Sequence, residues 1–146
     1  QKAVEIGVDE IVPVITGRSV VRLQDTEKKH SRFVDIVINA FCQCKRNFMP
    51  IIQKVLKNIE SIPEYNGVKI VFYEDETKKE LKQILEENSG AQEITLFFGP
   101  EGGFSKDEID FLVKNGFQSG RLTENTLRAE TAVIFALANV NFFYGL

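Results

Sequence analysis

The run EITLFF (93–98) narrows the choice of fold more than any other stretch of the chain. It is almost continuously apolar, shows no alternation, and is bounded by turn signals at Gly90 and Gly99–Pro100. Such a run fits a strand buried on both faces, as in a parallel sheet covered by helices. VKIVFY (68–73) has the same character, and KKELKQILEEN (78–88) between the two reads as a helix closed near Asn88 and Gly90. After the second strand, Ser105 stands three residues before Glu108, a capping box. It opens a helix with Ile109, Leu112 and Val113 on one face, closed by Gly116. FQSGRL (117–122) is a third strand, TENTL (123–127) a loop, and a long apolar helix runs from Arg128. This alternation predicts an α/β domain with a mostly parallel sheet flanked by helices.

The N-terminal part repeats the theme in shorter pieces. KAVEIG (2–7) ends a helix at Gly7, and EIVPVI (10–15) is a strand in which Pro13 removes a ladder donor. TGRSVVRLQ (16–24) is a loop with Arg18 and Arg22. Phe33, Val37, Ala40, Phe41 and Cys44 recur at helical spacing over 27–44. FMPIIQ (48–53) reads as a strand and KVLKNIESI (54–62) as a short helix. At 146 residues, with no internal linker or repeat, residues 1–146 are expected to be one domain. No apolar run reaches membrane-spanning length. Cys42 and Cys44 lack the second pair that a zinc site needs, so no metal is expected. They read as reduced, partly buried small hydrophobes of a cytoplasmic protein. Charge is uneven: residues 1–59 hold ten Lys/Arg against six Asp/Glu, and residues 60–146 hold eight against fifteen.

Parallel sheets bind ligands beyond the carboxyl ends of their strands. Three loops fall at such ends: EDE (74–76), GPEGG (99–103) and TENTL (123–127). GPEGG precedes a helix N-terminus, which favours anions. Yet it lacks the Lys-Ser/Thr ending of a P-loop and does not match the dinucleotide fingerprint. Glu101 would also repel phosphate, so a neutral or cationic ligand fits better. LRAETA (127–132) places Arg128 and Glu130 at the start of a helix that carries no further charge, facing the same crevice.

FGPEGGFSKDE (98–108), followed by LRAETA (127–132), closely resembles the small-subunit ribosomal RNA uridine N3-methyltransferases of the SPOUT superfamily. KAVEIGVDEIVPVITGRS (2–19) and QCKRNFMPII (43–52) are similar to that family's N-terminal segments, in the same order. The resemblance covers nearly the whole chain. It implies a C-terminal trefoil knot, which strand–helix alternation alone would argue against. It also implies an N-terminal RNA-binding barrel domain, expected to lie outside residues 1–146, and pairing of two copies into a homodimer. The C-terminal run AVIFALANVNFFYGL (132–146) supports pairing independently, because it is apolar nearly all round.

The cofactor implied is S-adenosyl-L-methionine, enclosed by the three loops. Phe72, Tyr73 and Glu74 would end the first strand. Phe98, Gly99, Pro100, Gly102 and Gly103 would form the second wall, and Leu122, Thr123, Asn125, Thr126 and Leu127 the third. Glycines would then leave room for close backbone approach to the ligand. Thr123 stands where the family usually has glycine, Thr126 where it has isoleucine, and Cys44 where it has serine. For the methylation of uridine N3, Arg128 is the expected stabiliser of the developing anion, with Glu101 or Glu130 as proton acceptor. Arg18 and Arg46 are the expected contacts to small-subunit ribosomal RNA. Two other readings remain: a knotted methyltransferase acting on another RNA such as transfer RNA, and a non-catalytic RNA-binding subunit of the same fold.

Overall fold

Neighbouring residues on a strand point to opposite faces, so Ile70 and Val71 can both be 0% exposed only where a sheet is covered on both sides. The computed structural model of the chain describes residues 1–19, 26–74, 76 and 79–145. Arg22, Asp75, Lys78 and Leu146 of the segments above lie outside them. The chain divides into two compact units, Gln1–Ile15 with Val20–Ile62 and Thr16–Ser19 with Pro63–Leu146. Both hold parallel strands with helices against them.

In the first unit, α1 (Lys2–Ile6) ends at Gly7, whose φ of 115° is the left-handed cap that glycine permits. The strand expected over 10–15 is reduced to β1 (Glu10–Ile11), because Pro13 has no N–H to continue the ladder. β1 pairs in parallel with β2 (Ile51–Ile52), and a single bridge joins Val14 to Leu56. The long helix α2 (Thr26–Cys44) buries Val37 and Ala40 against Val4, with Phe41 and Cys44 packed beside them. Cys42, expected to be partly buried, is exposed instead, and neither cysteine is in a disulfide. The short helix expected over 54–62 is only a 3₁₀ turn, Ile59–Ser61, held by the Asn58 side chain. A stretch this short cannot recover the cost of helix nucleation.

Arg46 closes the same unit. Its guanidinium donates to the carbonyl oxygens of Val4 (3.2 Å), Gly7 (3.2 Å) and Val8 (2.6 Å), and to Asp9 Oδ1 (3.2 Å). The fork gathers carbonyls at and just beyond the end of α1, that of Val4 also accepting the Gly7 N–H at 3.2 Å.

The second unit is built on a three-stranded sheet of order β4-β3-β5, all parallel: β3 (Val68–Phe72), β4 (Ile94–Phe98) and β5 (Gln118–Gly120). One face carries Val68, Ile70, Leu96 and Phe98 against α3 (Leu81–Glu87) and α5 (Ala129–Tyr144). The other carries Phe97, which packs on Phe104 and Phe117 near α4 (Lys106–Lys114). Gly120 gives room to α3 here, since a Cβ would come within 2.7 Å of Ile84 Cδ1 and the Ile84 side chain would have to shift. The chain runs from β3 outward to β4, then returns past β3 to β5. That reversal opens a crevice at the carboxyl edge.

The expected capping box forms at α4. Ser105 Oγ accepts from the Glu108 N–H (3.2 Å), and Glu108 Oε2 accepts from the Ser105 N–H (2.8 Å). The other carboxylate oxygen, Oε1, accepts from the Gly17 N–H at 2.8 Å. Burial by itself raises the Glu108 pKa. The backbone bonds from Gly17 and Ser105, the Ser105 hydroxyl and the charge of Arg18 outweigh it and hold the carboxyl below its ordinary 4.5.

Two outcomes follow for stability. Arg46→Ala should cost about 2–3 kcal/mol, since three carbonyls lose a charged donor, read as a lower urea midpoint; Arg46→Lys should recover only part, lacking the fork. Glu108→Gln should cost about 1–2 kcal/mol at neutral pH. A depressed carboxylate pKa stabilises above its unfolded value, and that stability is lost as pH falls through the folded one. The urea midpoints of wild type and Glu108→Gln should therefore converge as pH drops below 4.5.

Candidate active site

The carboxyl ends of β3, β4 and β5 open into one cleft of about 830 Å³. Its walls are the three loops singled out from the sequence. Phe72, Tyr73 and Glu74 end β3; Phe98, Gly99, Pro100 and Glu101 follow β4; Leu122, Thr123, Asn125, Thr126 and Leu127 lie between β5 and α5. Phe72 and Phe98 are register partners, with stacked rings 5.0 Å apart between centroids. They give the cleft a flat apolar floor where its strands end.

Of the three expected catalytic groups, Arg128 and Glu101 line the cleft and Glu130 does not. Arg128 is the N-terminal cap residue of α5, in extended conformation with ψ 151°, and its carbonyl accepts the first helical bond from Ala132 (2.8 Å). Its exposed guanidinium has no partner among the described residues. Glu101 is exposed in the turn closed by the Gly103 N–H and the Pro100 carbonyl at 2.9 Å. Glu130 sits in the first turn of α5, where a carboxylate complements the helix dipole.

Gly102 and Gly103 do not line the cleft, and their lack of side chains serves the protein's own packing. Gly103 has φ +66°, and a Cβ there would collide with the Glu74 carboxylate. A Cβ on Gly102 would come within 3.2 Å of Arg18 Cβ. Of the three glycines of this turn, Gly99 alone lines the cleft, and a Cβ there would come within 3.0 Å of the Phe104 ring. The glycines thus shape the turn against Glu74, Arg18 and Phe104.

Lining residues beyond those expected are Glu76, Gly120, Arg121, Glu124, Ala129 and Ala132. Glu76 and Glu124 belong to loops already marked, and the two alanines to the RAETA segment. Arg121 carried no signal, being the last residue but one of an apparent strand. It pairs with Glu80 through Nη2 (2.6 Å), while its Nε is buried without a partner among the described residues. Four glutamates and two arginines therefore border the cleft, which gives it an acidic balance.

The two expected RNA contacts differ in setting. Arg18 is exposed and donates through Nη1 to the Gly102 carbonyl at 3.1 Å. Arg46 is committed to the end of α1 with its side chain only 17% exposed. Among the described residues no cluster of His, Cys, Asp and Glu has the make-up of a metal site, and no helix is long and apolar enough to cross a membrane.

Comparison with known proteins agrees with this geometry. Residues 1–141 match the model of the RNA methyltransferase domain family. The chain is 36% identical over 141 residues to ribosomal RNA small subunit methyltransferase E of Rickettsia conorii, covering 94% of this chain and 55% of that protein. It is 37% identical over 136 residues to the protein of the same name from Aquifex aeolicus, covering 92% and 57%. Among solved structures, ribosomal RNA small subunit methyltransferase E of Neisseria gonorrhoeae, bound to S-adenosyl methionine, superposes with a TM-score of 0.82 at 32% identity, covering 98% of this chain and 58% of that one. This chain thus spans little more than half the length of these relatives. With the family model matched along almost its full length, the chain belongs to the RNA methyltransferase domain family.

Proposed function

We propose that residues 1–146 act as a SPOUT methyltransferase domain that methylates N3 of a uridine in small-subunit ribosomal RNA with S-adenosyl-L-methionine, in the cytoplasm. The observation that carries this reading is the meeting of GPEGG and LRAETA in one cleft, with Arg128 and Glu101 both on its wall. The relatives named for the ribosomal small subunit, one of them crystallised with the cofactor, support the substrate and the donor. In this reading the segment 122–128 between β5 and α5 is part of a trefoil knot.

The residues present fit the cofactor. A cleft of about 830 Å³ is of the size that encloses a small molecule. Leu122 and Leu127 offer apolar walls for an adenine ring, and the backbone of 99–101 offers polar groups for its edge. The acidic lining suits a ligand that carries a sulfonium and an ammonium group. When bound, the cofactor supplies an electrophilic methyl group.

The protein's part is to prepare the uridine. N3 holds a proton and must lose it before it can attack. Glu101, exposed on the cleft wall, is placed to take that proton directly or through a water. The imide that results spreads negative charge onto its two carbonyl oxygens. Arg128, with its guanidinium unengaged on the same cleft wall, would hold that charge. Arg18 is the RNA contact on this side. Arg46 has its donors taken up at α1 and serves the fold instead.

A homodimer is part of the same proposal. Of α5 only Ala136 and Val140 are buried, while Ile134, Phe135 and Phe143 are exposed and Phe142 is 92% exposed. An apolar patch of this kind marks an interface.

Three experiments test the reading. Arg128→Ala should lower methyl transfer to small-subunit ribosomal RNA about 10²–10³-fold, with little change in cofactor affinity by calorimetry. Mass mapping of the RNA should place the methyl group on uridine N3; a mark on another base or on transfer RNA only would overturn the substrate, and absence of cofactor binding the whole assignment. In sedimentation, the 16.6 kDa chain should run at twice its mass, and Phe142→Glu should dissociate it; a wild-type monomer would refute the dimer.

A further inference from the structure

Four residues, Thr16–Ser19, group with the second unit although the chain on either side of them groups with the first. They form a self-bonded strap. Thr16 is 7% exposed, its N–H donates to Ser19 Oγ (3.0 Å), its hydroxyl bonds the same oxygen (2.9 Å), and the Ser19 N–H returns to the Thr16 carbonyl (3.0 Å). The strap is attached at two points. Gly17 donates its N–H to Glu108 in the α4 capping box, and Arg18 donates Nη1 to the carbonyl of Gly102. Gly102 lies within the turn whose first residues, Gly99 to Glu101, line the cleft. The fit is close, since a side chain on Gly102 would press on Arg18 Cβ at 3.2 Å and on the Arg18 carbonyl at 3.4 Å.

We infer that Arg18 couples RNA binding to cofactor binding: it is a positioning residue whose guanidinium bridges an RNA phosphate and the Gly102 carbonyl, so that each ligand strengthens the other. The inference rests on the methyltransferase reading above for the identity of both ligands. Its physical basis is the shape of the side chain. A guanidinium has five donors in a rigid plane, and the bond to Gly102 uses one of them. The side chain is exposed, so the remaining donors are open to an anion. Glu108 anchors the neighbouring Gly17 N–H, and the charge of Arg18 is among the causes that lower its pKa. A phosphate that fixes the guanidinium bears the loss of side-chain freedom that the Gly102 bond otherwise requires. The turn is then held before the cofactor arrives, and the cofactor binds more tightly. Linkage requires the converse, that bound cofactor tighten RNA by the same factor.

The experiment is calorimetry of S-adenosylmethionine binding to the 146-residue chain, with and without saturating small-subunit ribosomal RNA. In wild type the RNA should lower the cofactor Kd about five-fold, and the cofactor should lower the RNA Kd equally. Arg18→Ala should bind both ligands independently, with the ratio falling to about one. Arg18→Lys separates bridging from charge alone: a single ammonium restores attraction to phosphate but not the fork, so it should recover RNA affinity without the coupling. Gly102→Ala, whose Cβ would press on Arg18 at 3.2 Å while Arg18 is kept, should weaken the coupling. Equal cofactor Kd values with and without RNA in wild type would overturn the inference, as would coupling that survives in Arg18→Ala or returns in full with lysine. Those results leave cofactor binding itself intact. A wild-type chain that binds no cofactor in either condition would remove the parent reading, and this one with it.

Discussion

The burial of β3 on both faces is the constraint on which the second unit depends. Ile70 and Val71 each need a layer over them, so α3 and α5 cover one side while the chain near α4 covers the other. A parallel neighbour requires a crossover, and crossovers in one sheet keep one hand. Going out to β4 and back past β3 to β5 therefore places the two crossovers on opposite faces. The carboxyl ends of three strands are left facing one open edge. The position of the cleft is a consequence of covering Ile70 and Val71, before any residue in it has a chemical role.

Within that edge the chain spends its special backbone on the GPEGG turn. Gly103 at φ +66° passes over the Glu74 carboxylate, and Gly102 lies against Arg18. The same turn ends at Ser105, where the capping box starts α4. Glu108 then serves two ends at once, completing the cap and accepting from Gly17 of the strap. One carboxylate thus joins helix start, turn and strap, and its depressed pKa reflects those bonds. A site on a loop gains precision in this way, because the loop is bonded along its length to rigid elements.

Much of this is legible in the sequence. Ser105 and Glu108 at capping-box spacing located the start of α4, Gly7 the end of α1, and the continuous apolar runs at 68–73 and 93–98 the paired strands β3 and β4. These are local rules, in which a backbone group and a side chain a few residues apart decide the outcome. The three loops at strand ends followed from the parallel sheet, and the lining of the cleft confirms that they meet. The helix expected over 54–62 was misread because periodicity does not report the cost of nucleating so short a piece.

What the sequence by itself determined is the order and kind of the elements and the identity of the residues brought to the sheet edge, since periodicity, caps and turns act over a few positions. Tertiary structure alone decided the use of each side chain. Arg18 and Arg46 are equivalent on paper as basic residues in matching segments. One lies exposed beside the GPEGG turn, and the other is taken up by the carbonyls of Val4, Gly7 and Val8. Arg121 entered the cleft unannounced, and Gly102 and Gly103 left it, because their neighbours come from 18, 74 and 80, far away in the chain. A donor is engaged or free according to what stands within about 3 Å of it, and for these residues those neighbours come from the fold.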